Sequence, residues 1–534
     1  MQGHTLPRRD GWWIFPHWRR PATGDVVAGL SMALVLVPQS LAYARVAGLP
    51  AYVGLYAAGL PPLAAAFFVS SPYLQTGPSA VKAMLTAGAL SLVAAAGTPE
   101  YIAYAAFLAF LVGVIRLGVG LLRLGNVAYL ISEPVLRGFV TGAALLIIAA
   151  QFPAVLGAQV SGNGLAGLLE VVTHPAHWNM LAVAFGVATL AVTVLARLIH
   201  SAVPGALVAT IGAILASHWM GYGGPVVGQV PEGLPHLSLA FPWMAGPSLF
   251  LSAVVIALVG FVEAATIARV FAARERERWD PDQDFISQGV ANLASSVVGG
   301  FPVGASFSRS TLGHMLGGHS RWAGAITGLT VLVFMPWSNV LAPLPIAVLA
   351  AIVIAAVSSL VRVRPLASLW RYSKPQFGVA AGTLLLTLAL APHIEDAVLL
   401  GIGLAIVVHL WREFRVDTVS WVEGATLHLR PQGILWFGSA EILKQSALDL
   451  IADHRDVGDV VLHMEQLGRV DLTAACAVQS LVRDLREAGL GVCLDGIREK
   501  TAPALRMVLA EIDTRVERDC REANATRADA PHDG

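Results

Sequence analysis

Three ionisable side chains lie deep within long apolar stretches of the sequence: Lys82, Glu263 and Arg309. A charge inside a lipid bilayer is costly, so such residues usually face a cavity, one another or the path of a substrate. If the three share a cavity, their net charge is +1, and protonation of Glu263 would raise it to +2. The set therefore predicts an anion site, and the larger charge suits a dianion. The alternatives are a structural ion pair between Arg309 and Glu263, and a Lys82 that extends to the membrane interface.

Two Gly/Pro-interrupted segments, LQTGPSAV (74–81) and FPVGASFS (301–308), each precede a short apolar run. If a helix begins there, inside the membrane, its first N–H groups have no partner within the helix. The helix dipole adds partial positive charge at the same point, so two facing N-termini would bind an anion. Ser79, Ser306 and Ser308 would add hydroxyl donors. The alternative for each serine is a helix cap or a packing contact.

The composition places these segments in a membrane protein. Of 534 residues, 56% are apolar and 13% are charged, whereas about 25% are charged in an average soluble domain. Residues 1–411 contain 34 charged residues and residues 412–534 contain 36. The break predicts a transmembrane domain over 24–413 and a soluble C-terminal domain. A formal net charge of zero gives no support for a nucleic-acid partner.

Fourteen apolar runs of spanning or nearly spanning length follow one another through the first 411 residues. The third and the tenth are the short runs that follow the two Gly/Pro-interrupted segments. The fourteen runs fall near 25–45, 51–70, 80–96, 102–121, 137–156, 178–199, 202–218, 248–271, 285–300, 305–317, 322–339, 344–361, 376–392 and 394–411.

Basic residues are concentrated on one side of these runs. The connections 97–101, 157–177, 219–247 and 340–343 contain neither Lys nor Arg, whereas the opposite ends and connections carry Arg8, Arg9, Arg19, Arg20, Arg116, Arg123, Arg197, Arg274, Arg276, Arg278, Arg321, Arg362, Arg364, Arg371 and Lys374. By the positive-inside rule both termini are cytoplasmic, with a cytoplasmic segment over 1–23. Arg45 is the one residue that does not fit.

Fourteen spans divide into two sets of seven, and the second set then begins on the opposite side of the membrane. This parity is what an inverted repeat requires, here about 24–220 and 245–413. The short third and tenth spans occupy equivalent places in the two halves. Such a pair of interrupted segments indicates the binding site of a transporter.

Several motifs resemble one family when taken together. GDVVAGLSMALVLVPQSLAYARVAGLPAYVGLYAAGLPPL (24–63) is similar to the opening signature of the SulP anion transporters, the bacterial relatives of the animal solute-carrier-26 proteins. TGPSAV (76–81), SEPVLRGFVTGAALLIIAAQ (132–151), GFVEAATIA (260–268) and QGVANLASSVVGGFPVGASFSRS (288–310) extend the resemblance. It implies a polytopic α-helical protein with core and gate subdomains, elevator-type alternating access, a cytoplasmic α/β STAS domain and a homodimer in the cytoplasmic membrane.

The resemblance also assigns roles to residues. Gln39 would hydrogen-bond the anion and Tyr43 would line its pocket, although either could be an ordinary packing residue. Glu263 and Lys82 would serve in coupling or charge balance. The substrate-binding set is then Gln39, Tyr43, Ser79, Ala80, Ser306, Phe307, Ser308 and Arg309.

The substrate predicted from the charge count is sulfate, taken up with protons. Sodium is the other candidate coupling ion, and no cofactor or metal is expected. Sodium-coupled bicarbonate relatives tend to carry an Asp in span 8 with a hydroxyl residue four positions later, where this chain has Glu263 and Ile267. Bicarbonate, chloride or dicarboxylate transport or exchange, an anion channel, and a membrane sensor with a STAS output are the alternatives. No nucleophile–base set or metal motif suggests an enzyme.

Residues 422–516 alternate strand-like and helical stretches, which is typical of a STAS domain (417–516). Helices are expected near 439–453, 473–488 and 501–515, followed by a disordered tail over 517–534. Asp471 and Thr473 match a D-x-S/T element that can be phosphorylated in regulatory relatives, although Thr473 could simply cap its helix. The three cysteines have no metal-ligand spacing and are expected to be reduced.

Overall fold

The computed structural model describes residues 20–91, 93–158, 164–199, 203–414, 417–454 and 456–497. The chain forms two compact units, Met1–Ala405 and Ile406–Gly534. The segment 1–19, the helix predicted over 501–515 and the tail over 517–534 lie outside the described residues.

The first unit is helical. Its first half contains α1 (Thr23–Val46), α2 (Val53–Phe68), α3 (Ala80–Leu90), α4 (Pro99–Leu121), α5 (Glu133–Val155), α6 (Gly164–Thr173), α7 (Met180–Ile199) and α8 (Gly205–Met220). The second half contains α9 (Gly246–Glu275), α10 (Pro281–Val297), α11 (Phe307–Met315), α12 (Trp322–Phe334), α13 (Ile346–Val357), α14 (Val363–Tyr372), α15 (Lys374–Ala389) and α16 (Ile394–Glu413), the last of which continues into the second unit.

A helix coincides with each of the fourteen predicted runs. Helices α6 and α14 are additional and lie in stretches that the sequence analysis left as connections. Among the described residues, seven helices are long and apolar enough to cross a membrane. Others are shorter because the chain breaks them: α3 has 11 residues and α11 has 9. The prediction of a polytopic helical membrane protein is confirmed.

Two short strands join the halves at the interrupted segments. Strand β1 (Thr76–Gly77) pairs antiparallel with β2 (Gly304–Ala305), so that Thr76 faces Ala305 and Gly77 faces Gly304. Gly77 has a φ of 150°, which an L side chain rarely adopts. Each strand leads almost directly into a half-helix, α3 or α11. The antiparallel pairing of equivalent segments is what an inverted repeat would produce.

The helices of the first unit pack as two groups. In one group α4 packs against α10, α2 against both α10 and α12, and α1 against α12. In the other, α5 packs against α13 and α15, and α7 against α8 and α13. The first group carries the half-helices α3 and α11, and we call it the core group. We call the second the gate group.

The second unit is an α/β domain with strands β3 (Asp417–Glu423), β4 (Thr426–Leu435), β5 (Asp459–His463), β6 (Leu467–Val470) and β7 (Gly491–Asp495) and helices α17 (Phe437–Asp453) and α18 (Leu472–Glu487). The sheet order is β3-β4-β5-β7, and β6 pairs with β4. Strand β3 is antiparallel to β4, whereas β5 and β6 run parallel to it. Leucine and valine side chains of β4, β5 and β7 pack with α17 and α18 in one core.

Two details of this unit differ from the sequence prediction. Strand β3 begins at Asp417, before the region of alternation that was predicted over 422–516. Cys476 is a free thiol, but Cys493 is disulfide-bonded, so the expectation of three reduced cysteines is wrong.

Candidate anion-binding site

Each half-helix begins with a serine that does not cap it. Ser79 is the N-cap residue of α3 and Ser306 that of α11, yet neither side chain accepts a hydrogen bond from its helix. The Ser79 hydroxyl is buried and has no partner. The first amides of both helices also lack partners within their own helix, as at any helix start. Neither serine caps its half-helix, and of the two hydroxyls that of Ser79 is left without a partner.

Backbone and side-chain hydrogen bonds fix the two N-termini relative to each other. The Ser306 N–H donates to the Gln75 carbonyl at 3.2 Å, and the Gln75 N–H donates to Ser310 Oγ at 3.0 Å. From α10, Asn292 accepts from the Val303 N–H at 3.0 Å and donates to the Val303 carbonyl at 3.1 Å. These bonds satisfy a backbone that is neither helical nor lipid-exposed, as an interrupted membrane segment requires.

Arg309 lies in the first turn of α11 and is 2% exposed. Its Nη1 donates to Gln39 Oε1 over a long 3.5 Å, while Nε and Nη2 have no partner. Tyr43 is also buried and lies close enough to interact electrostatically with Arg309. Buried donors without acceptors are costly, and guanidinium nitrogens match the oxygen atoms of an oxyanion. The structure thus brings Gln39, Tyr43 and Arg309 together as the resemblance implied.

The other predicted site residues differ in accessibility. Ala80 is buried at the start of α3, whereas Phe307 is 41% exposed and Ser308 is also exposed. Ser306 Oγ lies 3.3 Å from Ser308 Oγ, so these two hydroxyls form one polar patch at the start of α11. Ser308 makes the patch accessible, whereas the neighbouring Arg309 is buried.

Lys82 does not belong to the anion-facing set. Its ammonium group forms an ion pair with Glu263 and donates to the Ala305 carbonyl at 3.2 Å, and the residue is fully buried. It therefore neither extends to the interface nor adds a free charge, and Glu263 is balanced by Lys82 rather than by Arg309. The pair ties α3 to α9 and to β2.

Two glycines make room for the Lys82 side chain. A Cβ atom on Gly260 would lie 3.1 Å from Lys82 Cε and would collide with Arg116 Nη2. A Cβ atom on Gly304 would lie 2.8 Å from the same Lys82 carbon. The lysine stem thus passes between α9 and β2 where no side chain fits.

Arg116 is a buried cation that the sequence analysis missed. It was counted among the basic residues at the cytoplasmic ends of spans, but it is fully buried. Its three nitrogens donate to backbone carbonyls: Nε to Ala257 at 3.1 Å, Nη2 to Ile256 at 3.1 Å and Nη1 to Val303 at 3.0 Å. The available signal was its position five residues inside the predicted run 102–121, which should have placed it with Lys82 and Arg309.

Arg116 changes the charge count of the buried groups beside the half-helices. The charges of Lys82 and Glu263 offset each other, which leaves Arg116 and Arg309. With these four groups ionised their net charge is +2, whereas the three residues predicted from the sequence sum to +1. Protonation of Glu263 is therefore not needed to reach the charge that suits a dianion.

In the second unit, Asp471 rather than Thr473 caps α18. Asp471 Oδ1 accepts from the Ala474 N–H at 2.8 Å, and Oδ2 accepts from the Phe437 N–H at 3.0 Å. Thr473 is exposed on the first turn of the helix. The prediction that Thr473 caps this helix is therefore wrong.

Comparison with known proteins agrees with this architecture. Residues 23–383 match the sulfate permease family, and residues 420–523 match the STAS domain. A probable sulfate transporter of Mycobacterium tuberculosis is 33% identical over 521 residues, which cover 91% of this chain and 91% of the relative. The sodium-independent sulfate anion transporter of Bos taurus is 28% identical over 536 residues, covering 91% of this chain and 85% of the relative.

The fold is also that of solved structures. The murine solute carrier 26 family member A9 anion transporter, solved in the inward-facing state, superposes with a TM-score of 0.84. The match covers 94% of this chain and 90% of the murine chain at 22% identity, a level that shows the fold alone. The resemblance read from the motifs is confirmed, and the chain belongs to the sulfate permease (SulP) family, with a C-terminal STAS domain.

Proposed function

We propose that this protein, an anion transporter of the SulP family, takes up sulfate across the cytoplasmic membrane together with protons. The anion would lie between the N-termini of α3 and α11, and the core group would carry it past the gate group in an elevator-type movement. Both termini would be cytoplasmic and the protein would be a homodimer, as the charge distribution and the family resemblance suggest. The protein is not an enzyme: its family and its relatives are transporters.

One observation carries the proposal: the buried guanidinium group of Arg309 has two nitrogens without partners at the start of a half-helix. Each needs an acceptor, because an unsatisfied buried donor costs about 1–3 kcal/mol or more. The unpaired Ser79 hydroxyl and the free amides of two helix N-termini add donors of the same kind. An oxyanion would satisfy all of them at once.

Sulfate is favoured among the candidate anions by charge. Beside the half-helices, Arg116 and Arg309 are two buried cations in addition to the Lys82–Glu263 pair, so a dianion would neutralise this set of four groups. The relatives described above include a probable sulfate transporter and a sodium-independent sulfate anion transporter, which supports sulfate as the substrate and argues against sodium as the coupling ion.

Coupling to protons would act through the Lys82–Glu263 pair. Glu263 is partly exposed, with 30% of its side chain accessible, whereas Lys82 is fully enclosed. A proton that reached Glu263 would cancel the carboxylate charge and leave Lys82 without its partner. Proton binding would thus loosen the link between α3 and α9 instead of supplying charge to the anion.

Transport of radiolabelled sulfate into proteoliposomes tests the binding role. We expect Arg309→Gln to raise the KM for sulfate at least about 30-fold, because truncating a buried charged hydrogen-bond partner costs about 2–5 kcal/mol. Arg274→Gln is the matched control, since this arginine is 63% exposed. If Arg309→Gln transports sulfate with an unchanged KM, the proposed site is wrong.

An imposed inward proton gradient tests the coupling. We expect it to increase sulfate uptake by the wild type, and an inward sodium gradient at constant pH to have no effect. The double variant Lys82→Met/Glu263→Gln, which leaves no lone buried charge, should take up sulfate without responding to the proton gradient. Wild-type uptake that ignores the proton gradient would rule out the proposed coupling.

A further inference from the structure

A large cavity lies between the core and gate groups, apart from the half-helix N-termini. Its volume is about 1070 Å³. Arg45 at the end of α1 and Met84, Ala87 and Gly88 of α3 line it from the core group, and segments of α5, α13 and α15 line it from the gate group. Met84 is one helical turn from the first residue of α3, so the cavity approaches the proposed anion site along this half-helix.

Arg45 is the only Lys, Arg, Asp or Glu among the described residues that line this cavity. Its side chain is exposed, and none of the ion pairs in the described part of the chain includes it. Two of the lining hydroxyls have backbone partners, since Tyr101 donates to the Ala47 carbonyl at 2.8 Å and Ser91 to the Gly88 carbonyl at 2.7 Å, whereas the Tyr222 hydroxyl has none. Among the described lining residues, Arg45 is thus the one formal charge, and no carboxylate offsets it.

The position of Arg45 also opposes the charge distribution of the whole chain. The other connections on its side carry no Lys or Arg, and the positive-inside rule disfavours a basic residue there. If the N-terminal segment is cytoplasmic, α1 ends at the outer face and the cavity is on the outer side. A charge in a cleft with low-dielectric walls concentrates its field and raises the local concentration of counter-ions.

We propose that Arg45 makes this cavity an outer vestibule that attracts inorganic anions, and so sets the apparent affinity for anions from outside. The inference rests on the proposed function as an anion transporter, and it adds an entry site that precedes Arg309. Arg45 would act on the approach of the anion and would leave the transport step itself unchanged.

Sulfate uptake into oriented proteoliposomes, measured at low and high ionic strength, tests the vestibule. We expect Arg45→Gln to raise the KM for external sulfate about fivefold at low salt, the contribution of roughly one unscreened surface charge. The difference should vanish at high salt, because mobile ions screen it. The KM for internal sulfate and the maximal rate should stay unchanged, and Arg45→Lys should behave as the wild type.

Arg364→Gln is the matched control, since it removes one exposed arginine at the other end of the helices. Equal effects of Arg45→Gln and Arg364→Gln on external KM would overturn the proposal. So would a fall in the maximal rate with no change in external KM, since that result would assign Arg45 a structural role at the end of α1.

A labelling experiment tests the vestibule independently of transport. Ala95 lines the cavity, and Ala95→Cys can be modified with small thiol reagents of opposite charge. We expect the anionic reagent to react several-fold faster, relative to the cationic one, when Arg45 is present than in the Arg45→Gln background. An unchanged ratio would overturn the proposal. Failure of sulfate transport with a changed ratio would instead leave the vestibule intact and refute the proposed substrate.

Discussion

Lys82 and Glu263 form an ion pair inside the core group, with Lys82 fully buried and bound also to the carbonyl of Ala305. The pair connects three separate parts of the chain: half-helix α3, helix α9 and strand β2. It accounts for two of the three charges that first marked the membrane domain. Arg309 remains as a buried cation with unpaired donors, whereas Arg116 is a buried cation whose three guanidinium nitrogens all donate to carbonyls.

The ion pair predicts an asymmetry between single and double variants. Glu263→Gln alone should lower the free energy of unfolding by about 3–5 kcal/mol, because it leaves the fully buried Lys82 ammonium group without its partner. Lys82→Met alone should cost less, because Glu263 is partly exposed to solvent. The double variant should recover most of that loss. Thermal unfolding in detergent of the wild type, the two single variants and the double variant gives the four free energies of this double-mutant cycle. Additive losses in the double variant would show that the two residues do not act as a pair.

Two serines near the half-helices should respond in opposite ways. Ser79→Ala should leave thermal stability within about 0.5 kcal/mol, since its hydroxyl has no partner, but should raise the KM for sulfate. Ser310→Ala should lower stability by about 1–3 kcal/mol, because its oxygen accepts the buried Gln75 N–H. Thermal unfolding and sulfate uptake of both variants provide the comparison. A marked stability loss in Ser79→Ala would indicate a cap after all.

The glycines around Lys82 should not tolerate a methyl group. Gly260→Ala and Gly304→Ala would each place a Cβ atom against the Lys82 stem, and we expect losses of about 1–3 kcal/mol. Gly212→Ala in α8 is the control, because nothing lies within 4 Å of its Cβ position. The melting temperatures of the three variants test this prediction. If Gly260→Ala has the same melting temperature as Gly212→Ala, the predicted clash with Lys82 is wrong.

Capping of α18 should depend on Asp471 alone. Asp471→Ala removes acceptors for two backbone N–H groups and should destabilise the start of the helix by about 1–2 kcal/mol. Thr473→Ala should have little effect, because Thr473 is exposed. Hydrogen exchange of the amides at the start of α18, measured in the full-length protein, distinguishes Asp471→Ala from Thr473→Ala. Phosphorylation of Thr473 as a regulatory event stays a separate prediction.

The sequence predicted the helices well because apolar length and the distribution of basic residues are local properties. The glycines and prolines at 74–81 and 301–308 likewise marked the interrupted segments. The pairing of charges was not predictable in this way. Whether Glu263 meets Lys82 or Arg309 depends on how α3, α9 and α11 approach one another, and sequence spacing carries no such information.

Arg116 shows a second limit of prediction from the sequence. Arginines at the ends of apolar runs usually reach the interface, so its position near the end of a run suggested a topological role. Its actual partners are three backbone carbonyls, and backbone carbonyls leave no mark in a sequence. Helices α6 and α14 were not predicted for a different reason. Each is only 10 residues long, so its residues were assigned to a connection between spans.

The pairing of β1 with β2 has a consequence for selectivity. The two strands exchange backbone contacts at the point from which α3 and α11 diverge, so the distance between the two helix starts is fixed by main-chain geometry. We therefore expect the gap between the two helix starts to keep its width when an anion binds. Discrimination by ionic radius would then be insensitive to side-chain substitutions elsewhere in the core group, and changing it would require altering the strands themselves.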